Sequence, residues 1–147
     1  MAGRRNRTGF TLSEMLIVIV VMGGLMLLAL PRFRSVVQQH DVRGARTKVV
    51  TLYNQARANA MTTNRPTAVR ISGNTALITA TLPGGGLDTL VAVQDLHNDY
   101  GVTVTSSDSM LAVDPRGFGR SGGMIELAKG PHADTVMISG FGRVTTK

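Results

Sequence analysis

The stretch Gly9–Pro31, GFTLSEMLIVIVVMGGLMLLALP, decides how the rest of the chain is read. From Phe10 to Leu30 the only ionisable side chain is Glu14, and the only other polar side chains are Thr11 and Ser13. At 1.5 Å per residue such a run makes roughly 32 Å of helix, enough to cross the hydrocarbon core of a bilayer. A helix apolar on every side has no water-facing stripe, so the segment reads as a membrane span rather than a surface helix.

What flanks the run fixes its type. Arg4, Arg5 and Arg7 form a basic leader that ends at Thr8-Gly9, and the apolar residues begin at once. An ordinary secretory signal places its small-residue cleavage site after the apolar core, so that cutting discards the core. Here Leu30-Pro31-Arg32-Phe33 follows the core and offers no such site. The small residue placed for cutting is Gly9, ahead of the core, and the mature chain would keep its hydrophobic helix. A lone carboxylate in such a helix is costly on insertion scales, about 2.5–3.5 kcal/mol at the centre of a span, which marks Glu14 as a functional candidate.

The string Gly9-Phe10-Thr11-Leu12-Ser13-Glu14 ahead of an apolar run resembles the class III signal of type IV pilins and type II secretion pseudopilins. The resemblance implies cleavage after Gly9 by a prepilin peptidase and methylation of the new amino terminus at Phe10. It also implies a role for Glu14 in subunit assembly, through the amino group of a neighbour's Phe10, and for Pro31 as the helix-bending proline. On its own chemistry, proline removes a backbone hydrogen bond, and the Gly23-Gly24 pair lets helices approach closely.

Beyond the span, Val42, Ala45, Val49, Leu52, Ala56 and Ala60 recur every three or four residues, with charged residues mainly between them. This period predicts an amphipathic helix over 32–63 that continues the first. Asn64-Arg65-Pro66 ends it, because the residue before proline disfavours helical torsions. Short β-rich runs follow. Thr67–Ser72 and Thr75–Leu82 flank a turn at Gly73-Asn74, Pro83–Gly86 is a loop, and Leu87–Val93, Val102–Thr105, Met110–Val113, Met124–Ala128 and Thr135–Ser139 are further strands. The fold class expected is α+β: a long N-terminal helix, half membrane and half amphipathic, packed on an antiparallel β domain. The organisation expected is a leader over 1–9, a transmembrane and filament-core helix over 10–31, the amphipathic continuation over 32–63 and a β domain over 64–147.

With the turn Asp114-Pro115-Arg116-Gly117-Phe118-Gly119 and the closing Gly140-Phe141-Gly142-Arg143-Val144, this order resembles the GspH/FimT group of minor pseudopilins. The resemblance implies a structural subunit of a type II secretion pseudopilus supporting protein export. Its partners would be other pilin or pseudopilin subunits, the prepilin peptidase, inner-membrane lipid and secreted protein cargo. The chain would cross the inner membrane once, with its C-terminal domain in the periplasm and assembled into a filament. A second implication is DNA capture by a FimT-like minor pilin, with Arg116, Arg120, Arg143 and Lys147 on phosphates. The DNA-binding members carry a further arginine two residues after the first, where this chain has Thr145.

Composition bounds the alternatives. The chain has 147 residues and no cysteine, so neither disulfides nor thiolate metal sites hold it. Its net charge of +7 falls to +4 once Arg4, Arg5 and Arg7 leave with the leader. No catalytic constellation is legible, no cofactor is implied, and the chain reads as a non-enzyme. His40, His97 and His132 are scattered, and Asp95 with Asp99 fits turn chemistry better than a calcium loop. The glycines at 84–86, 117, 119, 122 and 123 lead into no phosphate loop.

Overall fold

A computed structural model describes residues 10–147; the leader arginines and Gly9 lie outside the described residues. The chain divides into two compact units, one ending at Val36 and the other running from Val37 to Lys147. Helix α1, Leu12–Thr63, contributes to both.

In the first unit the helix exposes its apolar side chains throughout. Ile19 is 70% exposed and Leu28 75%, a surface that water would penalise and lipid or neighbouring helices would not. The segment is long and apolar enough to cross a membrane. The helix runs on through Pro31.

The second unit is built on the amphipathic stretch. Val42, Ala45, Val49, Leu52, Tyr53, Ala56 and Ala60 are buried, which is the stripe expected from the sequence with Tyr53 added. Three alanines in that stripe, each fully buried, let the helix lie close to what covers it. Asn64 closes α1 in the left-handed region at φ 51°, and Arg65 N donates back to Ala60 O.

Eight strands follow: β1 Thr67–Ser72, β2 Thr75–Thr81, β3 Leu87–Asp95, β4 Thr103–Ser106, β5 Met110–Val113, β6 Gly123–Lys129, β7 His132–Ile138 and β8 Val144–Thr146. The expected antiparallel layer is present but divided into two four-stranded sheets, ordered β3-β2-β1-β5 and β4-β6-β7-β8. Val69, Ile71, Ile78, Leu111 and Val113 of the first sheet and Ile125, Leu127, Val136 and Ile138 of the second join the helix stripe in one core. Each stripe residue on β1 alternates with an outward one, as the two-residue period of a strand requires. The β2–β3 register shifts twice, between Ala76 and Ile78 and between Ile78 and Thr79.

Two features were not foreseen. A short helix α2, Leu96–Tyr100, replaces the expected turn after β3. Asp95 is its N-cap, and its Oδ1 accepts from His97 N and Asn98 N at 3.0 Å each, so this carboxylate is engaged by backbone. The closing segment forms β8, paired to β7 through Ile138, Met137 and Val136.

Side-chain ties join the layers. Thr67 Oγ1 donates to Ala56 O at 2.7 Å, fastening β1 to the helix. Lys129 Nζ donates to Asp41 Oδ2 at 2.7 Å and to Tyr100 O at 2.6 Å, linking β6, α1 and the end of α2. Arg46 pairs with Asp134 on β7 at 3.2 Å. Asn74, in the β1–β2 turn, accepts from Val104 N of β4 at 2.9 Å through Oδ1 and from Leu96 N at 3.0 Å through its carbonyl, so one turn residue bridges the two sheets.

Candidate assembly and binding surfaces

Of the residues singled out in the first unit, Phe10 is 78% exposed and Pro31 lies exposed inside α1. Glu14 has a local partner that the sequence reading did not give it. Thr11 Oγ1 donates to Glu14 Oε2 at 2.7 Å, Thr11 N donates to the same oxygen at 2.8 Å, and Glu14 N donates back to Thr11 Oγ1 at 3.3 Å. This is a reciprocal capping box at the start of α1, satisfying helix-end donors that would otherwise have no intrahelical acceptor. Its signature, Thr-x-x-Glu before an apolar run, was legible in Thr11–Glu14. In the single chain the carboxylate is therefore held by its own first turn.

In the second unit the four cations singled out for phosphate contact are all exposed but do not share one element. Arg116 sits in a tight turn where Asp114 Oδ1 accepts from Arg116 N and Phe118 N at 2.9 and 2.8 Å. Arg143 sits in a turn closed by Ser139 N to Arg143 O at 2.9 Å and Arg143 N to Ser139 Oγ at 3.0 Å. Lys147 exchanges two backbone bonds with Thr135, each 3.0 Å. Arg120 follows β5, its N donating to Ala112 O at 2.8 Å.

The turns carrying Arg116 and Arg143 are brought together by glycine. A side-chain carbon on Gly119 would fall 2.5 Å from Gly142 N, and one on Gly142, at φ +87°, would fall 2.9 Å from the Tyr53 hydroxyl. The two loops thus cross backbone to backbone over Tyr53, and only glycine permits that approach. Phe118 and Phe141 stand on these loops, 55% and 86% exposed. Aromatic and arginine side chains on adjoining loops are the composition of interface anchors. Neither phenylalanine was singled out from sequence, where each reads only as part of a glycine-rich turn.

Beneath the crossing, Tyr53 is 1% exposed, and its hydroxyl makes no hydrogen bond among the described residues. Burial pushes that hydroxyl above its ordinary value, with the Arg57 guanidinium pulling the other way. The histidines gather no metal: His97 Nδ1 meets Val102 O at 3.1 Å, and among the described residues no three His, Cys, Asp or Glu side chains form a metal-holding group.

Comparison with known proteins places these features in context. Residues 4–30 match the family model described as the prokaryotic N-terminal methylation motif, and residues 45–142 match that described as type II transport protein GspH. The fold is similar to crystal structures of the type IV minor pilin FimU of Pseudomonas aeruginosa strain PAO1. For the P21 form the TM-score is 0.60 at 16% identity, covering 74% of this chain and 90% of that one. For the P65 form it is 0.56 at 16% identity, covering 71% and 91%. No curated protein matches the chain.

Proposed function

We propose, from the premise that the chain belongs to the family of type II transport protein GspH, that it is a minor pseudopilin of a type II secretion pseudopilus. In this reading it is a structural subunit without catalytic activity, anchored once in the inner membrane, with its two-sheet domain in the periplasm and its apolar helix in the filament core. The observation that carries the reading is one chain holding both the methylation motif over 4–30 and the GspH match over 45–142. The exposed apolar surface of α1 in the first unit supports it, because a helical stretch with no burial of its own is complete only in lipid or against its neighbours.

Assembly then turns on Glu14. Incorporated beside another subunit, its carboxylate would exchange the two Thr11 donors for the cleaved amino terminus of a neighbour, an ion pair in which both partners are charged where Thr11 brings only neutral donors. The mature chain is expected to begin at Phe10 and carry one methyl group on its nitrogen, read by mass spectrometry of protein from native membranes. Glu14→Ala is expected to leave the subunit in the membrane but abolish its co-purification with other pseudopilins and reduce protein export. A mature chain beginning at Met1, or wild-type export in the variant, would overturn the proposal.

The exposure of Arg116, Arg120, Arg143 and Lys147 favours a second reading, DNA capture. It requires double-stranded DNA binding that weakens steeply with salt and falls in Arg143→Ala. Thr145, at the place of the second arginine in DNA-binding members, ranks this reading below the first.

A further inference from the structure

The outer face of the first sheet, turned away from α1, contains a built hollow. Strand register explains it. Thr79, Ala68 and Ala112 face one another across β2, β1 and β5, giving a row of short side chains for a floor. The next outward row is Leu77, Arg70 and Met110, all longer, which stands up beside it. Arg120 arrives from the segment after β5, and Leu87 from the start of β3 closes the far side. The volume of the hollow is about 180 Å³.

Its electrostatics are one-sided. Arg70 and Arg120 both line the cavity and no carboxylate does. The ion pairs Arg46–Asp134 and Lys129–Asp41 lie elsewhere. Arg70 Nε is buried and donates to nothing among the described residues. A guanidinium donor withdrawn from water without an acceptor costs about 1–3 kcal/mol or more, a cost removed when an anion enters. Thr79 and Thr81 add two hydroxyls to the lining.

We propose that this hollow binds a protein carboxylate carried on an apolar stem, with Arg70 and Arg120 holding the two oxygens and Leu87, Met110 and the alanine floor packing the stem. Arginine's planar fork matches the two oxygens of a carboxylate. The apolar lining favours a group with methylenes over a bare, strongly hydrated phosphate, and the volume admits one side chain rather than a nucleotide. Two sources share this chemistry, a glutamate side chain within a partner chain and a chain's own C-terminal carboxylate. The proposal does not depend on which filament the subunit joins.

The test uses the full chain in detergent micelles with carbon-13 methionine methyls, Met110 being assigned through Met110→Leu. Four peptides are titrated: N-acetyl-Leu-Glu-Leu-amide with its glutamine counterpart, and N-acetyl-Leu-Leu free acid with its amide. At least one acid should shift the Met110 methyl saturably, its neutral counterpart should not, and the acid that binds names the source. Affinity should fall about tenfold or more in Arg70→Gln and in the exposed Arg120→Gln, the loss of one charge-assisted contact. The Met124 and Met137 methyls on the second sheet report that each variant is folded, and Arg120→Gln carries the test if Arg70→Gln is not. No Met110 shift with either acid, equal binding by the neutral peptides, a response to inorganic phosphate alone, or unchanged affinity in a folded variant would overturn the proposal.

Discussion

Tyr53 shows how much one atom can matter in the core of this domain. Its ring fills the space between helix and loops, but its hydroxyl is buried without a partner beneath Gly142. Tyr53→Phe removes an unsatisfied oxygen while keeping the ring, and is expected to raise stability by up to about 1 kcal/mol, read from thermal unfolding. The pH dependence has a definite sign. The folded hydroxyl titrates above its ordinary value of 10.0, so the unfolded chain releases the proton first. The native protein should therefore keep Tyr53's contribution below pH 10 and lose stability as pH rises above it, a decline that Tyr53→Phe makes shallower. An equal decline in both proteins would show that burial does not shift this group. None of this was legible beforehand: Tyr53 lies beside Leu52 in a helical stripe, and the loops over it carry Gly119 and Gly142, far along the chain.

At the scale of elements, periodicity carried most of the reading. The buried stripe of α1 from Val42 to Ala60 follows from three- and four-residue spacing, and the strands before β8 each contain or overlap the run expected there. The short helix α2 was missed because five residues give too little period, although Asp95 ahead of Leu96 and Gly101 after Tyr100 are its cap residues. The capping box of Thr11 and Glu14 was missed for a different reason, since a lone acid in an apolar run drew a long-range explanation before a local one. Element docking rests on polar ties that no sequence pattern announces, Lys129 being the densest. Lys129→Met leaves the Asp41 carboxylate and the Tyr100 carbonyl without their donor. Because both ion-pair partners are partly exposed, water screens part of the loss, and a cost of about 1–2 kcal/mol is expected in denaturant unfolding of the full chain in detergent. A variant as stable as the parent would mean that the core alone holds the helix to β6.

For the whole molecule, the sequence indicated an antiparallel β layer behind a long helix, and the structure divides that layer into two sheets. The division was not legible because local alternation says which face of a strand is buried, not which strands pair. Asn74 shows the same limit: it reads as a turn residue, yet it bonds to Val104 thirty residues on and holds the sheets in register. Asn74→Ala strips the Val104 amide of its acceptor and should cost about 1–3 kcal/mol, with amide exchange rising first in β4. Unchanged exchange at Val104 would assign the sheet pairing to the shared core alone. The candidate surfaces divided likewise. The arginine positions were visible, but the arrangement of Arg70 and Arg120 around one hollow depends on strand register and came only with the fold.

The doubly shifted pairing of β3 with β2 has a consequence for how the border of the first sheet meets other chains. Irregularities of this kind twist a border strand and spoil it as a template for endless stacking. On the function proposed above, where the greasy rod is what meets other subunits, this unsociable ribbon border keeps the domain from adding fibrous clumping of its own.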